Sequence, residues 1–239
     1  MTSNHSAVTP EVLADRLARR GRGAGVAGRQ AILPDPLRVF HQRLLGAFLT
    51  GTGPPAAPVV ADLAAELRLD PPAVLAALAA ADLVHTDPAT GTIAVAYPFS
   101  GRPTPYRVEL AGGPAVFAMC AVDALGIPQM LGRDGQISSV DPTTGQPITV
   151  EVHAGAWRFQ PATTVLLSGR TAAGDACDTA ADWCCPYINF HTDPQAAETY
   201  LRAHPGITAT LFGQAAAVQA AGQAFGSLLD PSHPQETAP

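Results

Sequence analysis

Cys120 and Asp123 stand three residues apart in the apolar stretch GPAVFAMCAVDALGIPQML. Read as one helix, that spacing puts a thiol and a carboxyl on the same face, with Cβ atoms about 5–6 Å apart. An Asp among Val116, Phe117, Met119, Val122 and Leu125 loses hydration, and desolvation raises a carboxyl pKa, so Asp123 could hold a proton near neutral pH. The plainer alternative is a small core cysteine beside an aspartate that caps a backbone group. Cys184 and Cys185 are adjacent in WCCPYINF, at the entry to an expected strand. Neighbours on a strand point to opposite faces, so only one of the pair can share a site with Cys120; a vicinal disulfide is the other option. Cys177, in the polar loop AAGDACDTAAD, reads as an exposed and dispensable thiol.

Other chemistries lack their residues. The four cysteines form no CxxC pair and no zinc spacing, and the seven histidines make no HxH, HExxH or i, i+4 couple. His191, nearest the cysteine pair, reads as a strand residue and not a ligand. There is no GxSxG elbow, and residues 98–229 carry no phosphate-binding glycine motif. The available chemistry is thiol plus carboxylate.

The elements that must position these groups fall into segments. Residues 1–34, with Arg16, Arg19, Arg20, Arg22 and Arg29 around a glycine-rich centre, read as a short helix and a flexible arm. Helical periodicity follows from Pro36 through Phe48, again after Pro58, and a third time after Asp70, a candidate N-cap with Pro71 at the first helical position. VHTDPATGTIAVAY then reads as a hairpin turning at Asp87 to Gly91, so residues 35–97 have the plan of a winged helix. Residues 98–229 supply strands in YRVEL, GQISSV, PITVEVH and TTVLLSG, the apolar helix stopping at Gly126 to Pro128, and two helices near the end. Ile148, Val150 and Val152 alternate with Thr149 and Glu151, as in a strand buried on one face. Residues 230–239 read as a disordered tail. The fold class is therefore α+β: a winged-helix-like helical domain followed by a mixed domain on antiparallel strands.

Composition narrows the partners. The 239 residues are 47% apolar, which suits a packed core. The formal charge is −6, and every one of the 14 basic residues is Arg. Within residues 35–97 three Arg face six acidic residues, the wrong sign for a DNA-reading module, and the third helix offers no Arg, Asn or Gln to base edges. No apolar run reaches the roughly 18 residues of a membrane span, and the N-terminus lacks the order of a secretory signal. The expectation is a cytoplasmic protein with no nucleic-acid or membrane partner, its cysteines reduced.

FAMCAVDALGIPQMLGRDGQISSVDPTTGQPITV resembles the organomercurial (alkylmercury) lyase family, which carries Cys-x-x-Asp, a following Pro, an LGR and an SS…TG.P stretch. WCCPYINF is similar to the family's Cys-Cys pair entering a strand, and the likeness extends over roughly residues 35–229. The resemblance implies protonolysis of carbon–mercury bonds to a hydrocarbon and Hg(II). Cys120 matches the family's first mercury-binding thiol, Asp123 its proton-handling carboxylate and Cys184 its second thiol, all three touching the metal. Mercury is a soft ion and prefers thiolate sulfur. No cofactor is implied. Mercury is substrate and product, small-molecule thiols release it, and mercuric reductase is an implied partner. After SS, many relatives have a third cysteine where this chain has Asp141. The alternative reading is a paralogue that sequesters Hg(II) or Cu(I) on the same thiols without cleaving anything.

Overall fold

A computed structural model describes residues 25–51, 53–171 and 179–230. Residues 231–239 of the tail, Cys177 and residues 1–24 of the arm lie outside the described residues. The rest of the arm differs from expectation: Val26–Ala31 form helix α1, which buries Val26, Arg29 and Gln30 and lies against the last helix of the chain. Val26, Ile32 and Leu33 are apolar and must be covered, and burying them carries Arg29 and Gln30 inward with them.

Three helices follow: α2 (Asp35–Ala47), α3 (Ala57–Glu66) and α4 (Pro71–Ala80). Asp70 caps α4, its carboxylate accepting from the Ala73 N–H at 3.0 Å. Strands β1 (Val84–Thr86) and β2 (Ile93–Ala96) form the expected hairpin, with Asp87 accepting from the N–H groups of Ala89 and Thr90 in the turn.

That hairpin is not the edge of a separate domain. It begins an antiparallel sheet of eight strands that continues through β3 (Phe99–Ser100), β5 (Ala115–Ala118), β4 (Arg107–Leu110), β6 (Gly135–Val140), β7 (Pro147–His153) and β8 (Ala156–Gln160), in that spatial order. The expected boundary at residue 97 therefore falls inside one sheet. One hydrophobic core also spans both sides, with Phe48 of the helical segment stacked on Phe99 at 5.0 Å between ring centroids. Ile148, Val150 and Val152 of β7 are buried as their alternation required.

A second antiparallel sheet places β9 (Val165–Thr171) between β10 (Ile188–His191) and β11 (Ile207–Phe212). Helix α7 (Pro194–Ala203) covers it, and α8 (Gln214–Phe225) packs against α5 (Ala121–Leu131). The stretch expected to be one apolar helix is thus β5 followed by α5. Val116 and Ala118 alternate inward from β5, which fits a strand better than a helix face. Helix α5 also runs past Gly126 and Pro128 to Gly132, whose φ of 58° ends it in the left-handed region.

Candidate functional site

The change from β5 to α5 occurs at Cys120, which is the extended N-cap of α5 at φ −152°. The turn is pinned from outside: Thr104 donates its hydroxyl to the Ala118 carbonyl at 2.6 Å, and the Met119 N–H reaches the Pro98 carbonyl at 3.2 Å. Asp123 is then the third helical residue, where an acidic side chain folds back toward the N-cap. The Cys120 thiol donates to Asp123 Oδ2 at 2.6 Å, and both residues are buried. Cysteine and aspartate three apart do meet, through a helix cap and not along a helix face.

The second arm of the site comes from WCCPY. Ala180–Trp183 form the short helix α6, and Cys185–Tyr187 a 3-10 turn leading into β10. The cysteine pair lies at the end of a helix and not on a strand, so the geometry expected for it changes. The Cys184 thiol folds back and donates to the Ala180 carbonyl at 3.3 Å, half-buried. Cys185 is buried, and it is Cys185, not Cys184, that joins Cys120 and Asp123, with all three ligand atoms within 4.8 Å of one another. The strand alternation expected for the pair does not operate here, because a helix end turns successive side chains through a different angle from a strand.

Burial dominates the electrostatics. It pushes the Asp123 carboxyl up to about 7, against the opposing pull of the Cys120 thiol, the charge of Arg29 and the N–H groups of Asp123 and Cys120. Burial likewise pushes the Cys120 thiol up to about 12, with the Asp123 charge adding to it and contact with Cys185 opposing. Cys185 is held well above the ordinary thiol value, first by contact with the Cys120 and Cys184 thiols and then by burial. Both inner thiols are therefore protonated at neutral pH, and a cation that binds them must displace those protons. Asp123, near half-protonation, is the group able to take one.

Two tyrosines and an arginine complete the surroundings. Tyr106 donates to Asn189 Oδ1 at 2.5 Å, and its hydroxyl is held well above its ordinary value, first by burial and then by Cys120, Tyr200, Cys185 and Asp123. Tyr97 is held above its ordinary value first by burial and then by Cys185, Asp82 and Asp123. The Arg29 guanidinium lies 5.6 Å from the Tyr97 ring centre. Arg29 was expected in the arm. The sequence signal for it is weak, since only Val26 and Leu33, seven apart, are apolar on the face that Arg29 and Gln30 share.

His191 stays away from the cysteines. Its Nδ1 lies 3.5 Å from Asp141 and its ring tilts against Tyr200. Asp141 accepts from the N–H groups of Thr192, Thr143 and Thr144 and from the Thr192 hydroxyl, so it ties the β6–β7 turn to the end of β10. Burial raises its carboxyl, but those N–H groups outweigh burial and hold it below its ordinary value.

Residues 99–226 match the family profile described as alkylmercury lyase, MerB. The chain belongs to the alkylmercury lyase family. An alkylmercury lyase of Pseudomonas putida is 31% identical over 107 residues, 44% of this chain and 49% of that protein. One of Streptomyces lividans is 31% identical over 108 residues, 45% of this chain and 48% of that protein. The chain thus spans about half the length of the curated alkylmercury lyases it matches. The crystal structure of the mercury-bound form of MerB2 shares the fold with a TM-score of 0.60 at 21% identity, covering 82% of this chain and 100% of that one. No helix among the described residues is long and apolar enough to cross a membrane.

Proposed function

We propose that this protein is an organomercurial lyase, carried by one observation: the buried triad of two thiols and one carboxyl, Cys120, Cys185 and Asp123, within 4.8 Å. The substrate is an organomercurial cation, R–Hg⁺. Cys120 sulfur bonds to mercury and its proton passes by way of Asp123, whose Oδ2 already accepts it at 2.6 Å, to the bulk, leaving Asp123 ionised. As Cys185 sulfur bonds in turn, the second proton goes to Asp123. Two sulfurs on the metal push electron density toward carbon. Asp123 then delivers its proton to carbon, the carbon–mercury bond breaks, and R–H leaves. The balance is R–Hg⁺ plus two thiols to R–H, a mercury dithiolate and one proton. A carboxyl near 7 suits a group that must both accept and return a proton at neutral pH.

Cys184, first in the pair, is assigned the outer place, one residue from the metal, where its thiol can receive mercury on release. Small-molecule thiols take the Hg(II) away, with mercuric reductase downstream, and no cofactor takes part. Free thiols at Cys120, Cys184 and Cys185 fit a reducing, cytoplasmic setting. For residues 35–97 we retain the winged-helix-like plan, supported by three helices followed by a hairpin, as a scaffold and not a DNA reader.

The test is benzene release from phenylmercury at pH 7 with excess small thiol, in the native protein and in Cys120→Ser, Cys185→Ser and Asp123→Asn. Turnover lost in all three variants supports the reading. A native protein that holds mercury on two thiols and releases no benzene would instead be a sequestering relative.

A further inference from the structure

Helix α6 is one turn long, and its N-terminal N–H groups need acceptors. The Thr179 carbonyl accepts from the Asp182 and Trp183 N–H groups, but the Thr179 side chain caps neither of the first two, its hydroxyl donating to Asp182 at 2.6 Å. Acceptors for those two come from far away in the chain. The Ala180 N–H donates to Asp82 Oδ2 at 3.2 Å, and the Ala181 N–H to the Tyr97 hydroxyl at 2.7 Å. Asp82 follows α4, and Tyr97 follows β2.

Both acceptors are themselves held. Asp82 Oδ1 is 2.8 Å from His85 Nε2, and its other oxygen is 3.7 Å from the Arg29 guanidinium, which also covers the Tyr97 ring. Tyr97 is 1% exposed and has no freedom to follow a moving helix. Four elements therefore converge on the first turn of α6, and the fifth residue after Ala180 is Cys185.

We infer that Asp82 and Tyr97 are positioning residues: by capping α6 across the fold they set where the Cys185 thiol sits relative to Cys120 and Asp123. The inference rests on the lyase reading for its purpose, since a dithiolate on mercury requires both sulfurs at once. The placement itself is independent of mercury.

The effective concentration of Cys185 at Cys120 reads that placement directly. In a Cys177→Ser, Cys184→Ser background, the protein is equilibrated in glutathione buffers. One oxidised glutathione is reduced to two thiols as Cys120 and Cys185 are oxidised to a disulfide, and the equilibrium constant gives the effective concentration. Tyr97→Phe keeps the ring and removes only the acceptor. Asp82→Gly removes the carboxylate at a backbone φ of 49°, which glycine accepts without steric cost. Asp82→Asn keeps an acceptor oxygen. We expect the constant to fall about tenfold or more in Tyr97→Phe and Asp82→Gly, and to stay within about twofold of native in Asp82→Asn. Circular dichroism confirms that each variant is folded. Native constants in folded Tyr97→Phe and Asp82→Gly overturn the inference. Failure of the lyase reading shows elsewhere, as absent benzene release from the native protein with the disulfide equilibria still shifted.

Discussion

Phe225 of α8 fills the space that a side chain on Gly126 of α5 would need, so the two helices meet backbone to ring less than two turns from Cys120. Gln129 completes the contact, donating to the carbonyls of Leu125 and Val218. Gly126→Ala should therefore overpack this crossing, costing about 1–3 kcal/mol and lowering Tm by several degrees. Adding Phe225→Leu should recover most of that loss in a double-mutant cycle. Additive effects of the two substitutions would contradict the contact.

Cys184 and Cys185 should separate cleanly. Cys185→Ser should reduce benzene release to the level of Cys120→Ser. Cys184→Ser, whose hydroxyl can still donate to the Ala180 carbonyl, should retain turnover and lose mainly the rate of mercury release. Phenylmercury turnover at low and high small-thiol concentration distinguishes the two. Equal loss in both variants would return Cys184 to the inner site.

Asp123→Asn should abolish turnover yet stabilise the fold in alkali. The carboxyl titrates at about 7 folded against an ordinary 3.8, so the folded state binds the proton more tightly and stability falls as pH rises between those values. Above 7 the penalty is complete and amounts to roughly 4 kcal/mol at about 1.4 kcal/mol per pKa unit. Urea unfolding should show Asp123→Asn more stable than native at pH 8 and nearly equal at pH 4. A pH-independent difference would mean that the carboxyl is not desolvated.

His41 should act in the opposite direction. Burial, aided by the Arg29 charge, lowers it from 6.5 to about 3, while its Nδ1 lies 2.9 Å from the Gln30 amide. Protons then favour the unfolded chain, and stability is lost as pH falls from 6.5 toward 3. His41→Asn, which keeps an acceptor for Gln30, should flatten the acid limb of a urea-midpoint profile. Because the Asp123 window overlaps with reversed slope, Asp123→Asn should steepen the same limb.

Much of this was legible before folding, and what was not has local causes. The three early helices, the Asp70 cap and the β7 alternation follow from short-range periodicity and capping, which sequence carries directly. Cys120 and Asp123 were legible as a pair because three-residue spacing brings groups together either on a helix or at its cap. The strand ending at Ala118 was hidden because a short apolar run suits strand and helix equally, and the neighbouring β4 and β3 decide it. The choice between Cys184 and Cys185 depends on whether WCCPY ends a helix or starts a strand. The acceptors that settle it, Asp82 and Tyr97, lie more than 80 residues away.

The eight-stranded sheet has a consequence for how the molecule can be divided. The family match begins at residue 99, the first residue of β3, whereas β1 and β2 pair ahead of it and Phe48 covers Phe99. A protein cut there would keep every cysteine yet present β3 as a bare edge with unsatisfied N–H and carbonyl groups, an invitation to edge-to-edge association. It would also lose Asp82, Tyr97 and Arg29. Solubility and the cysteine geometry should therefore fail together on truncation, and the intact chain should melt in a single cooperative transition.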